Sequence, residues 1–219
     1  MTSRKSARRG RFIVLEGLDG AGTTTQARSL VDHIARKGER VLATHEPTDG
    51  PIGNLLRQIL RGRLVALPHA GVGEPRPSPV DPAATALLFA ADRLDHLHHQ
   101  VIPHLEAGVH VVCDRYVISS LAYQSLETDL RFVRAINEKA LKPDLVLFLR
   151  VPAEVAMARI ESSRTSRDTF EQLPLQRRIA ANYEKILETW RDGELVVLDG
   201  TEEVSAVTAR VRAAVDRLF

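Results

Sequence analysis

Cysteine is nearly absent: Cys113 is the only one in 219 residues. No disulfide can form within the chain, and a reducing, cytoplasmic setting is expected. Long apolar runs are missing as well. None approaches the roughly 20 residues that cross a bilayer, and the opening residues lack the apolar stretch of a secretory signal, so no membrane partner is expected. Charge of one sign is also scarce. The formal net charge is +2 with 26% of residues charged, which is neither a dedicated nucleic-acid binder nor a disordered chain; no nucleic-acid partner is expected. The basic residues that do cluster, Arg4, Lys5, Arg8, Arg9 and Arg11, stand at the front. Residues 1–10 are read as a solvated leader ahead of the fold. No internal repeat is present.

What is there is apolar content, at 44%, enough for one sizeable core over residues 11–219. Five short runs read as strands: Phe12–Leu15, Val41–Thr44, Val109–Cys113, Leu145–Leu149 and Leu195–Leu198. Each is nearly continuous in apolar residues, as strands are when both sheet faces are covered. Between them lie helical spacings: Ala27, Leu30, Val31 and Ile34, then Ala84, Leu87, Leu88 and Ala91. Ile179, Tyr183, Ile186, Leu187 and Trp190, and later Val204, Val207, Val211, Val215 and Leu218, repeat the pattern. Alternating strands and helices predict βαβ units and a parallel sheet. Two segments interrupt the rhythm. Residues 68–82 carry five prolines and read as an irregular loop. Residues 161–171 are polar and read either as a plain connection or as a lid over a nucleotide.

The first strand runs into Gly17-Leu-Asp-Gly20-Ala-Gly22-Thr-Thr-Thr25 and then a helix. Strand, glycine-rich turn and helix start form a cradle in which backbone N–H groups converge on a phosphate. Gly17, Gly22 and Thr24 fit the G-x-x-x-x-G-K-[ST] pattern, but Thr23 stands at the lysine position. On these residues alone a phosphate loop and a plain glycine turn both remain open.

Three further stretches decide between them: Thr44-His45-Glu46-Pro47-Thr48, Leu87-Leu-Phe89-Ala-Ala-Asp92-Arg93, and Asp114-Arg115-Tyr116 leading into Ser119, Ser120, Ala122, Tyr123 and Gln124. In order and spacing, these and the glycine turn resemble the thymidylate kinase family from about residue 11 to the end. The resemblance implies an α/β P-loop NTPase fold: a five-stranded parallel sheet flanked by helices on both faces, with a small lid. It also implies transfer of the γ-phosphate of ATP to dTMP in dTTP biosynthesis, with Mg2+ as cofactor and a homodimer as the assembly.

Site roles follow from the resemblance, position by position. Gly17, Leu18, Asp19, Gly20, Ala21, Gly22, Thr23 and Thr24 would cradle the ATP phosphates. Thr24 and Asp114 would hold the metal, the latter through water. Asp19, Arg115, Arg164 and Arg167 would be catalytic, with Arg115 gripping the acceptor phosphate. Phe89 would stack on thymine and Arg93 would bond a thymine carbonyl. Ser120, Tyr123 and Gln124 would meet the base edge and the sugar, and Glu46 would order metal-bound water. Such a kinase needs positioning and charge stabilisation rather than a general base, because its acceptor is already an anion.

The departures are specific. His45 stands where the family has arginine, Arg150 where an acid is common, and Asp168-Thr169 where the lid usually has Asp-Arg. Gly20 occupies the loop position at which some members carry an arginine, which points to the type that supplies it from the lid. His96, His98 and His99 read as a solvated face rather than a metal site, since no cysteine or carboxylate set completes one in sequence. Without the lysine, a binding protein that has lost catalysis is one alternative, and a related kinase with another acceptor is a second.

Overall fold

A computed structural model describes residues 9–66, 78–163 and 172–219 of the chain. Five parallel strands form one sheet in the order β2-β3-β1-β4-β5. They are β1 (Phe12–Gly17), β2 (Val41–His45), β3 (His110–Asp114), β4 (Leu145–Arg150) and β5 (Glu194–Asp199). Every residue of β1 is buried, as is most of β3 and β4. The edge strands β2 and β5 are largely half-exposed or exposed. Their apolar runs therefore do not mean two covered faces; an edge strand has a neighbour on one side only.

Helices α1 (Thr23–Arg36) and α9 (Val204–Asp216) pack on each other over one face. On the other lie α3 (Pro82–His96), α4 (Ile102–Glu106), α5 (Val117–Gln124) and α8 (Leu173–Thr189), as right-handed crossovers require. Helices α2 (Pro51–Leu60), α6 (Leu130–Ile136) and α7 (Ala153–Ser163) complete the set. A π-helical turn at Leu97–Val101 joins α3 to α4. Asp81 caps α3 by accepting from the Ala84 N–H at 3.0 Å, with Pro82 at the first helical turn, where its missing N–H costs nothing. None of the described helices is long and apolar enough to cross a membrane.

The Ala84, Leu87, Leu88, Ala91 stripe is not the inner face of α3. That face is Ala86, Ala90, Asp92, Arg93 and His96, while Leu87 is 50% exposed. Of the expected proline-rich loop 68–82, residues 68–77 lie outside the described ones, as do residues 1–8 of the leader; Ser78 forms an antiparallel bridge with Ala66, and Pro82 already opens α3. The chain leaves β1 toward α1 and the neighbouring β3 toward α5, so it turns to opposite faces from adjacent strands. Ligands bind open α/β sheets at such switch points, beyond the carboxyl ends of the strands.

Candidate functional site

Beyond the end of β1, Gly20 and Gly22 have φ of 81° and 95°, the left-handed region that favours glycine. Gly20 is further constrained, because a Cβ there would stand 2.3 Å from the Ala156 carbonyl oxygen of α7. No arginine can therefore occupy this loop position without moving α7. Gly22 precedes α1 with no side-chain cap, leaving the first N–H groups of the helix for a ligand. Thr23 is buried and does not replace the reach of a lysine. Gly20, Ala21, Gly22, Thr23 and Thr24 line a cavity of about 470 Å³ together with Arg159. Leu18 instead turns into the core. The Thr24 hydroxyl donates to Asp114 Oδ2 at 2.5 Å, and Asp114 Oδ1 is buried without a partner. A hydroxyl and a carboxylate with one unpartnered oxygen, beside a phosphate loop, are hard donors that suit Mg2+.

Next to the loop, Arg115 follows β3 with φ 73°, a conformation costing about 1–3 kcal/mol in a non-glycine residue. Its contacts hold it there. The backbone N–H donates to the Leu15 carbonyl at 2.9 Å, and the guanidinium donates to Asp19 Oδ1 at 2.6 Å and to the Gly17 carbonyl at 3.1 Å. Tyr123 donates to Asp19 Oδ2 at 3.0 Å; burial pushes its phenol pKa up, so it stays a donor. Beneath them Glu16 accepts from the Tyr116 and Ser119 N–H groups at 3.0 and 3.2 Å and from the Ser119 hydroxyl at 2.5 Å. Burial raises its pKa from 4.5 to about 7, against the opposing pull of Ser119 and Arg115.

Asp19 and Arg115 also line a second cavity of about 370 Å³, shared with Glu46, Phe89, Arg93, Asp114, Ser120, Tyr123 and Gln124. Phe89 and Arg93, one helical turn apart on α3, both face it. Arg93 is 2% exposed. Its Nε donates to Glu46 Oε2 at 2.9 Å, its Nη2 to Ser120 Oγ at 2.9 Å, and its Nη1 to Asn137. The guanidinium lies over the Tyr116 ring, 5.0 Å from the centroid. Gln124 lines the cavity with its Oε1 buried and unpartnered.

Glu46 differs from its sequence reading: its two oxygens are taken up by Arg93 and by His96 rather than left for ordered water. His96 is likewise no part of a solvated face, being 3% exposed, whereas His98 and His99 are exposed. Glu46, His96 and Cys113 bring three possible metal-ligand atoms within 4.8 Å of one another. These atoms are already committed, Glu46 to Arg93 and His96, and the Cys113 thiol to the Arg115 carbonyl at 3.1 Å. A cation there would break all three and sit against a guanidinium. Arg164 and Arg167 lie outside the described residues.

Sequence reasoning missed Glu16, Arg57, Asn137 and Tyr183. Glu16 had a signal, a lone acid ending an apolar strand run. Arg57 lines the second cavity and its guanidinium donates to the Pro47 carbonyl at 2.8 Å. Tyr183 donates to the Gly17 carbonyl at 3.0 Å from α8.

The thymidylate kinase family profile matches residues 15–211. A protein of Thermococcus kodakarensis named "Probable thymidylate kinase" is 38% identical over 209 residues, 95% of this chain and 98% of its own length. One of Pyrococcus horikoshii with the same name is 39% identical over 207 residues, 93% of this chain and 97% of its own. The "Thymidylate kinase" of Halalkalibacterium halodurans is 35% identical over 209 residues, 92% of this chain and 93% of its own.

Proposed function

Because the chain belongs to the thymidylate kinase family, ATP-dependent kinases acting on dTMP, we propose a division of labour between its two cavities. The loop cavity takes the ATP phosphates on the N–H groups of Gly20 to Thr24. The second takes dTMP, with the thymine on Phe89 and Arg93. The observation that carries this reading is that Asp19 and Arg115 line both cavities. An oxygen of the dTMP phosphate attacks the γ-phosphorus at that junction, the bond from γ-phosphorus to the β–γ bridging oxygen breaks, and ADP leaves. The attacking oxygen is already anionic, so no residue has to remove a proton.

Arg115 neutralises charge on the acceptor and transferring phosphates, as do the lid residues Arg164 and Arg167. Arg159, in the donor cavity, adds a cation on that side. Mg2+ held at Thr24 and Asp114 would neutralise charge on the β- and γ-phosphates. Base choice follows from Arg93. A guanidinium only donates, so it accepts a thymine carbonyl as partner and opposes the amino group of cytosine. Ser120 and Gln124 lie along the base edge, and Tyr123, fixed on Asp19, crowds a ribose 2′-hydroxyl. The protein acts as a homodimer.

A coupled ADP-release assay with ATP, Mg2+ and a panel of dTMP, dCMP and GMP tests the reading. Turnover with a marked preference for dTMP is expected. Arg93→Ala raises the KM for dTMP about tenfold or more, the scale of a lost charged hydrogen bond, and leaves the KM for ATP unchanged. An equal rise in both would remove Arg93 from the base.

A further inference from the structure

His96 is read from sequence as one of three surface histidines, yet it is buried between β2 and the acceptor cavity. Its Nδ1 lies 3.0 Å from Glu46 Oε1 and its Nε2 lies 2.7 Å from Thr44 Oγ1. A ring nitrogen facing a carboxylate oxygen must carry the proton, so Nδ1–H donates to Glu46. The other Glu46 oxygen, Oε2, accepts from Arg93. One carboxylate thus joins two side chains of α3 that lie three positions apart, and it comes from the loop after β2. The same loop is held a second time by α3, where Asp92 accepts from the Thr48 N–H at 2.8 Å and from its hydroxyl at 2.6 Å.

We propose that His96 is a positioning residue for base recognition. By holding Oε1 of Glu46 it keeps Oε2 on Arg93, and so fixes the guanidinium at the wall of the acceptor cavity. The inference rests on the assignment of Arg93 to the thymine. Glu46 alone cannot fix the fork, because a carboxylate with one free oxygen can turn about its last bond. With Nδ1–H on one oxygen and Nε on the other, that rotation is closed. Nη2 of Arg93 meets Glu46 Oε2 at 2.8 Å and also donates to Ser120, and Nη1 donates to Asn137. His96 itself does not line the cavity, so its effect reaches substrate only through Arg93.

The test compares His96→Leu with His96→Asn in the full-length protein. Leucine fills the space without a donor, whereas the asparagine amide overlays Nδ1 and can still donate to Glu46. His96→Leu is expected to raise the KM for dTMP about tenfold, to narrow the dTMP to dCMP preference, and to leave the KM for ATP unchanged. His96→Asn is expected to restore both to near the parent. Equal loss in the two variants, or equal rises in both KM values, makes His96 a packing residue and overturns the proposal. Should His96→Leu fail to fold, His96→Gln decides: its amide takes the place of Nε2 beside Thr44 and leaves Glu46 Oε1 without a donor, so the same rise in KM for dTMP alone is expected. An unchanged KM there overturns the proposal. If the parent shows no preference for dTMP over dCMP, the assignment of Arg93 fails first; if the preference holds and His96→Leu leaves it intact, only the role of His96 fails.

Discussion

At the residue scale, the least comfortable group in the site is Glu16. A carboxyl buried under the phosphate loop, with its pKa raised from 4.5 to about 7, is easier to bury neutral than charged. Its raised pKa sets the sign. The folded state binds the proton more tightly than the unfolded chain, so this stability is complete below about pH 4.5 and is lost as pH rises through about 7. The shift corresponds to a change on the order of 3 kcal/mol over that window. Glu16→Gln is expected to remove most of that slope in urea unfolding measured from pH 4.5 to 8, and a variant that keeps the parent slope would contradict it. Thr23 bears on rate instead. Arg164→Ala or Arg167→Ala is expected to cost up to ~10³-fold in kcat, the scale of arginines that stabilise phosphoryl transfer. Thr23→Lys should restore part of that loss in stopped-flow turnover; a double alanine variant as fast as the parent would mean the lid does not supply the missing charge.

Legibility at this scale depended on contiguity. Asp19 and Arg115 stand in unbroken motifs, each at the end of an apolar strand, where an open sheet binds ligands. His96 sits three positions from Arg93, but its partners Thr44 and Glu46 lie 52 and 50 positions away. A helical period records which way a residue points and not what it meets. A polar residue on a helix therefore reads as solvated until the loop that covers it is known.

At the element scale, strands and helices were legible because short continuous apolar runs differ sharply from apolar residues spaced at 3.6. Exposure of the edge strands was not, since apolar content does not report position in a sheet. The contact between the phosphate loop and α7 was also hidden. Gly20 stands in the motif as one glycine among three, but only the fold brings the Ala156 carbonyl against it. This contact ties the loop to the helix that leads into residues 164–171. Gly20→Ala must either move α7 or distort the loop, and its φ of 81° adds about 1–2 kcal/mol for a residue with a Cβ. The expected outcome is a lower Tm together with a raised KM for ATP. Calorimetry and kinetics that both match the parent would mean α7 moves freely away from the loop.

At the scale of the whole molecule, α3 divides its two sides between two tasks. Phe89 and Arg93 face the acceptor cavity, while Leu87 and Leu94, seven residues apart and so on one stripe, are 50% and 41% exposed. Leu55 of α2, which packs on α3, is 40% exposed, and Ile102 at the start of α4 is 37% exposed. Apolar side chains gathered on paired helices are the material of an interface between copies. Of the stripe read from Ala84, Leu87, Leu88 and Ala91, Leu87 is exposed and the other three are half-buried. Light scattering is expected to give twice the chain mass of 24.3 kDa at micromolar concentration. Leu87→Glu with Leu94→Glu places charges on the stripe and should give the monomer mass. Because the same helix carries Arg93, proposed above to meet the base, separating the copies should also raise the KM for dTMP while sparing that for ATP. A variant that is monomeric with an unchanged KM for dTMP would show that α3 keeps its place without a partner, and a parent of monomer mass would remove the interface altogether.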